Sequence, residues 1–192
     1  MKVTKDPYSA LFPCPVVLVT CVDSSLKPNI ITLAWTGTVC SDPPTVALGI
    51  RPKRYSYKLI EASGEFVVNI PTRSILKETD FCGTTSGRDV DKFSETGLTS
   101  EPSEKVKPPI IRECPMNIEC IVRKEIPLGS HHLFLGEVVL VHVNEDILNE
   151  KGRINFAKAA PFVYNQREYW SLRGRVGTHG FSKQLYNPTN KK

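Results

Sequence analysis

Short apolar, β-branched runs that recur every few residues, each closed by a turn, constrain this chain more than any other feature. Val16–Val22 is such a run and reads as a buried strand. Asp23–Asn29 is a turn by composition, and Asn29–Val39 (NIITLAWTGTV) reads as a second strand that forms a hairpin with the first. Ser41-Asp42-Pro43-Pro44 breaks the pattern, Thr45–Ile50 is a third strand and Glu65–Ile70 a fourth. Between these last two, Ser56–Gly64 reads as a short helix, with Ser56 as N-cap and Gly64 as the stop. Thr72–Phe81 suggests a second short helix, and Gly83–Pro109 reads mainly as surface loop. Asn117–Ile126 and Leu133–Val143 are long strands, followed by a turn at Asn149–Gly152. Strands so closely spaced, with few helices between them, favour a mainly β fold in which an antiparallel sheet closes into a barrel. The chain reads as a single domain over 1–192, with an aromatic-rich C-terminal extension from about 155 that wraps over the body.

The 192 residues suffice for a core without covalent staples. Apolar residues make up 40% and charged residues 23%, which excludes a disordered chain and a helical membrane bundle. None of the six cysteines forms a Cys-x-x-Cys pair, so a zinc knuckle or thioredoxin motif is not indicated. Scattered cysteines behave as small buried apolar residues and fit a reducing compartment. The first residues lack a signal-peptide pattern and no apolar stretch is long enough to span a bilayer, so a cytoplasmic location with no membrane partner is expected. The net charge of +5, with Lys191 and Lys192 in a solvated tail, lacks the arginine-rich, aromatic-interleaved runs of nucleic-acid binders.

A Rossmann glycine fingerprint and a P-loop are both absent. Gly174, Gly177 and Gly180 read as a flexible turn. The strongest local signal is the strand-to-helix junction GIRPKRYSYKL. A helix start attracts anions through its free N–H groups, and Arg51 and Arg54 add forks that suit phosphate oxygens. A solvated basic turn with a serine cap is the equally weighted alternative. His131 and His132 point to opposite faces if they lie on a strand, so they cannot chelate one metal side by side, and no metal site is expected. Cys40 is either buried filler or lies near a redox centre, and Trp35 and Trp170 read as core or interface anchors.

In order along the chain, PVVLVT, NIITLAWTG, VCSDPPTVALGI, the arginine-rich junction, GEFVVNIP, GSHHLFLGEV and FVYNQREYWSLRGRVG resemble the flavin-reductase-like FMN-binding split barrels. The branch that contains flavoredoxin and archaeal ferric reductase is the most similar. The resemblance covers nearly the whole chain and implies an antiparallel split β-barrel of Greek-key type, working as a homodimer with FMN near the subunit interface. It implies that Thr32, Leu33, Ala34 and Trp35 line the flavin ring, with Cys40, Ser41 and His132 close to it. It assigns the phosphate and ribityl chain to Arg51, Arg54, Tyr55 and Ser56, with Phe81, Cys82, Gly83 and Lys92 approaching from the loop. Many relatives carry a small hydroxyl residue where Tyr55 stands, and the shortest flavin reductases lack the C-terminal extension. The implied activity is NAD(P)H-dependent reduction of flavin or ferric iron. The alternative is an electron carrier that trades electrons with protein partners. In either case the flavin does the electron chemistry, and no catalytic acid, base or nucleophile is expected.

Overall fold

The computed structural model describes residues 1–184, so the tail lysines Lys191 and Lys192 lie outside the described residues. In chain order the elements are β1 (Cys14–Pro15), β2 (Val17–Val22), β3 (Pro28–Leu33), β4 (Thr36–Ser41), β5 (Pro44–Ile50), α1 (Tyr55–Ser63) and β6 (Glu65–Ile70). There follow α2 (Leu76–Thr84), α3 (Lys92–Thr96), β7 (Ser100–Glu101), β8 (Ile110–Ile111), β9 (Met116–Pro127), β10 (His132–Val143), α4 (Phe156–Ala159), β11 (Phe162–Asn165) and β12 (Glu168–Ser171). Seven strands form one antiparallel sheet in the order β3-β2-β6-β9-β10-β5-β4. Its two end strands, β3 and β4, follow one another in the chain.

The long hairpin β9–β10 makes the sheet curl. The first half of β9, Met116–Ile121, pairs with β6, whereas the first half of β10, His132–Glu137, pairs with β5. Each half of the hairpin is thus committed to a different flank. Register shifts at Leu135/Gly136 and Val138/Leu140 mark bulges, which bend and twist a strand pair. The result is an antiparallel split barrel. Inside it, alternate residues of β2 (Val17, Val19, Cys21) meet Leu48, Phe66, Phe134 and the α1 residues Tyr57 and Ile60. The other face of β2 is covered too: Leu18 packs with Ile30, Ile75, Cys82, Leu98 and Ile111 beneath α2 and the loop after it. That explains why β2 reads as a continuous apolar run, since a strand covered on both faces needs no polar alternation.

Gly136 shows how tight the interior is. A Cβ built there would lie 2.3 Å from Phe66 Cζ and 2.7 Å from its Cε1. Gly136→Ala is expected to lower stability by about 1–3 kcal/mol, the usual cost of overpacking, read as a fall in the urea midpoint. A second tie is polar. The fully buried Glu119 of β9 accepts hydrogen bonds from the backbone N–H groups of Glu104 (2.9 Å), Lys105 (2.6 Å) and Val106 (3.1 Å), and pairs with His142 Nε2 at 2.6 Å. The loop before β8 is thereby fastened to the barrel wall.

Three expectations need correction. Asn29–Val39 is not one strand: the chain bends at Ala34–Trp35, and Trp35 O accepts a bond from Gly49 N at 2.8 Å. Here the chain leaves one end of the sheet and enters the other, and tertiary pairing overrides the local β preference. Ser56 is not the N-cap of α1. Arg54 holds that position with no capping side chain, and Ser56 is buried, accepting from Asn29 Nδ2 at 2.7 Å. Gly83–Pro109 is more than surface loop, since it carries α3 and buries Lys92, Leu98 and Val106.

The six cysteines are free. Four are buried, and burial pushes the thiols of Cys21 and Cys120 up to about 12 and that of Cys82 to about 11, so they remain protonated. Cys40 is exposed, which removes the buried-filler reading for that residue, and Trp35 and Trp170 are both too exposed to be core anchors. No helix among the described residues is long and apolar enough to cross a membrane.

Candidate functional site

The bend at Ala34–Trp35, the end of β5 and the start of α1 meet on one side of the barrel. There they form a cleft of about 610 Å³, within the roughly 300–1,000 Å³ typical of small-molecule sites. Thr32, Leu33, Ala34 and Trp35 form one wall, and Gly49, Ile50, Arg51 and Arg54 form the floor toward α1. Asp80, Gly83 and Thr84 come from α2, and Tyr164, Arg167 and Tyr169 come from the hairpin β11–β12. That hairpin is held in place by β1, which pairs Cys14 with Tyr164 and Pro15 with Val163.

A smaller lobe of about 160 Å³ adjoins the cleft and shares Arg54 and Gly83 with it. Its lining includes Lys53, Tyr55 and Ser56 at the start of α1, Asn29 of β3, Cys82 of α2, and Ser86, Gly87 and Lys92 from the loop and α3. Lys92 is 4% exposed, and its Nζ donates to Ile30 O and Cys82 O, both at 2.7 Å. An ammonium has three donors, so one remains for the lobe. Burial pushes this lysine below its ordinary range, and the nearby Arg54 charge adds to that shift. Among the described residues no acidic side chain lines the lobe. A buried cation without a carboxylate, beside an uncapped helix start, is an arrangement that an anion completes. The backbone comes close here as well: a Cβ on Gly87 would lie 1.9 Å from Asn29 Oδ1.

His131, just before β10, and His132, its first residue, face apart, in the opposite sense to that implied by the resemblance. His131 lines the cleft, its ring 4.4 Å from that of Trp35, and its Nε2 accepts from Arg51 Nε at 3.3 Å. Burial, and then the Arg51 charge, hold its pKa below the usual value, so the ring is neutral at pH 7. His132 faces away, with its Nδ1 against Glu125 and Tyr57 Oη.

Of the residues marked from the sequence, the structure gathers Thr32, Leu33, Ala34, Trp35, Arg51, Arg54 and Gly83 in the cleft, and Tyr55, Ser56, Cys82 and Lys92 in the small lobe. Cys40, Ser41, Phe81 and His132 line neither; Cys40 Sγ is turned to Asp42 O at 3.3 Å. Sequence reading missed Asp80, His131, Tyr164, Arg167 and Tyr169 as site residues. The alternation in FVYN and EYWS around Gln166-Arg167 was the available signal for the hairpin. Among the described residues no group of acidic, histidine or cysteine side chains could hold a metal ion.

Residues 9–173 match the family described as "Flavin reductase like domain". The chain belongs to the flavin reductase-like family. Its fold is similar to flavoredoxin of Desulfovibrio vulgaris (Miyazaki F), with a TM-score of 0.89 and 32% identity over 95% of this chain and 100% of that one. Flavoredoxin from Methanosarcina acetivorans aligns with a TM-score of 0.88 and 27% identity, covering 96% of this chain and 100% of that chain. An uncharacterized protein of Archaeoglobus fulgidus is 38% identical over 146 residues, which is 76% of this chain and 81% of that protein. The family resemblance drawn from the sequence motifs therefore stands, and the split-barrel fold with it.

Proposed function

We propose that this member of the flavin reductase-like family binds FMN and acts as an oxidoreductase, reducing flavin or ferric iron at the expense of NAD(P)H. The observation that carries the reading is the two-lobed cleft, with a buried ammonium and an uncapped helix start in the smaller lobe. The residues fit a mononucleotide: one large lobe with aromatic and apolar walls, and one small cationic lobe beside it.

When bound, FMN would supply the two-electron redox chemistry. Lys92, Arg54 and the first N–H groups of α1 would hold the phosphate by charge-assisted hydrogen bonds, with Lys53 adding positive charge. Asn29 and Ser56, hydrogen-bonded to each other, form part of the wall of the phosphate lobe. The bend at Leu33–Trp35 would present backbone groups toward the ring as fixed dipoles that need no reorganisation. Neutral His131, bonded to Arg51, keeps that guanidinium turned along the cleft floor. Tyr164 and Tyr169 would narrow the cleft from the hairpin side. We further propose a homodimer, as the family resemblance implies, and, from the sequence pattern, a cytoplasmic location and a single domain spanning 1–192.

Purified protein is expected to be yellow, with a flavin absorption spectrum that bleaches on anaerobic addition of NADH or NADPH, and to oxidise one of them in the presence of free flavin or chelated iron. A colourless protein that takes up no FMN in a titration would overturn the reading. The 32% identity to a flavoredoxin, together with the hairpin over the cleft, favours a second reading as an electron carrier. Yellow protein indifferent to both nicotinamides selects it.

A further inference from the structure

The turn of the β11–β12 hairpin is built from costly residues. Asn165 pairs with Glu168, leaving Gln166 and Arg167 as a two-residue loop with φ of +49° and +72°. Such a loop favours Asn-Gly, because side chains with a Cβ strain in the left-handed region. Here neither loop residue is glycine or asparagine, and Arg167 lines the cleft. Strain of this kind persists where the side chain is wanted, and it points from an observed outlier to a role.

Arg167, an exposed side chain, also lacks a protein partner among the described residues. No hydrogen bond or ion pair engages its guanidinium among the described residues, whereas Arg51 donates to His131 and Arg54 sits at the junction with the phosphate lobe. Asp80, the one carboxylate lining the cleft among the described residues, already accepts from Tyr169 Oη at 2.9 Å. Among the described residues a cation thus stands unpaired on the hairpin side of a lobe whose other walls include Trp35, His131, Tyr164 and Tyr169.

We propose that Arg167 is a specificity-determining residue for the molecule that reacts in the larger lobe, and that this molecule is planar and carries a carboxylate or phosphate that Arg167 pairs with. The proposal rests on the FMN reading for what shares the lobe with that molecule. An arginine fork suits both anions, so the phosphate of a nicotinamide nucleotide and the carboxylate of an aromatic acid are the two sources to distinguish.

The test is calorimetric titration, with and without FMN, using two pairs of probes that differ by the anionic group: benzoate against benzamide, and nicotinamide mononucleotide against nicotinamide riboside. In the wild-type chain the anionic member of one pair is expected to bind about tenfold more tightly than its partner, and the pair that shows this names the source. Arg167→Gly is expected to bring that ratio within about twofold. Because it relieves the left-handed strain, it is also expected to hold the Tm or raise it by about 2–4 °C. Gln166→Gly keeps the charge and is expected to keep the ratio.

No anionic preference in either pair, or a preference that survives Arg167→Gly, overturns the proposal. So does loss of the preference in Gln166→Gly, which would assign it to the shape of the turn. Failure of the wild-type chain to take up FMN sinks the reading of the cofactor instead, and the titrations without FMN still decide on Arg167.

Discussion

Lys92→Met protein is expected to bind FMN about 10- to 100-fold more weakly than the wild-type chain while binding riboflavin with nearly the same affinity. Lys92 Nζ spends two of its donors on Ile30 O and Cys82 O and faces the small lobe with the third. A charge-assisted bond to a phosphate in so dry a place is worth about 1.5–3 kcal/mol, which sets the size of the loss. Riboflavin has no phosphate, so it reports whether the rest of the cleft is intact. Methionine keeps the length of the stem but leaves two carbonyls without their donor, and a stability loss of about 2–4 kcal/mol should accompany the change. The ratio of the two affinities, measured by quenching of flavin fluorescence, is independent of that loss. Equal weakening of both ligands would place Lys92 in the scaffold and leave the anion to the α1 start and Arg54.

Glu119→Ala is expected to be the most destabilising single change at a distance from the cleft, at about 4 kcal/mol in urea unfolding. It would strip the acceptor from three consecutive backbone N–H groups and from His142, the Val106 N–H among them buried. The pH dependence has a definite sign. Burial alone would push the Glu119 carboxyl up, but hydrogen bonds from His142 and from the backbone of Glu104 and Lys105 together outweigh it and hold it below the ordinary range. A carboxyl lowered in the folded state stabilises fully above its unfolded pKa of about 4.3 and loses that stabilisation as pH falls through the folded value. The gap between wild type and Glu119→Ala is therefore expected to be widest near neutrality and to narrow below about pH 4. A gap that widened in acid would contradict this account.

The strands that pack on both faces, or alternate cleanly, were legible in the sequence: β2, β5, β6, β9 and β10 lie where their apolar residues put them, and α1 ends at Gly64 as its glycine signals. The break at Ala34–Trp35 was not legible, because nothing in TLAWTG disfavours extended chain. The bend is imposed by a bond from Gly49, a residue beyond the next turn. Assigning His131 rather than His132 to the cleft needed the register of β10 against β5, which local pattern does not carry. The hairpin β11–β12 escaped notice because its loop lacks the glycine that advertises such turns. In contrast, the arginine-rich junction stood out as a candidate anion site weighed evenly against a solvated basic turn, and Lys92 came only from the resemblance, because the five-residue helix that carries it is too short to recognise.

The pairing of β10 with β5 joins residues some eighty positions apart, His132 with Ile50, and it is this ladder that sets His131 beside Arg51. The cleft therefore has no counterpart in the unfolded chain. Any molecule it holds acts as a clasp on the closed sheet, adding about 2.7 kcal/mol to its resistance to unfolding at a free concentration one hundred times its dissociation constant. Loss of that occupant removes this stabilisation, so the supply of the occupant and the stability of the folded chain are thermodynamically linked.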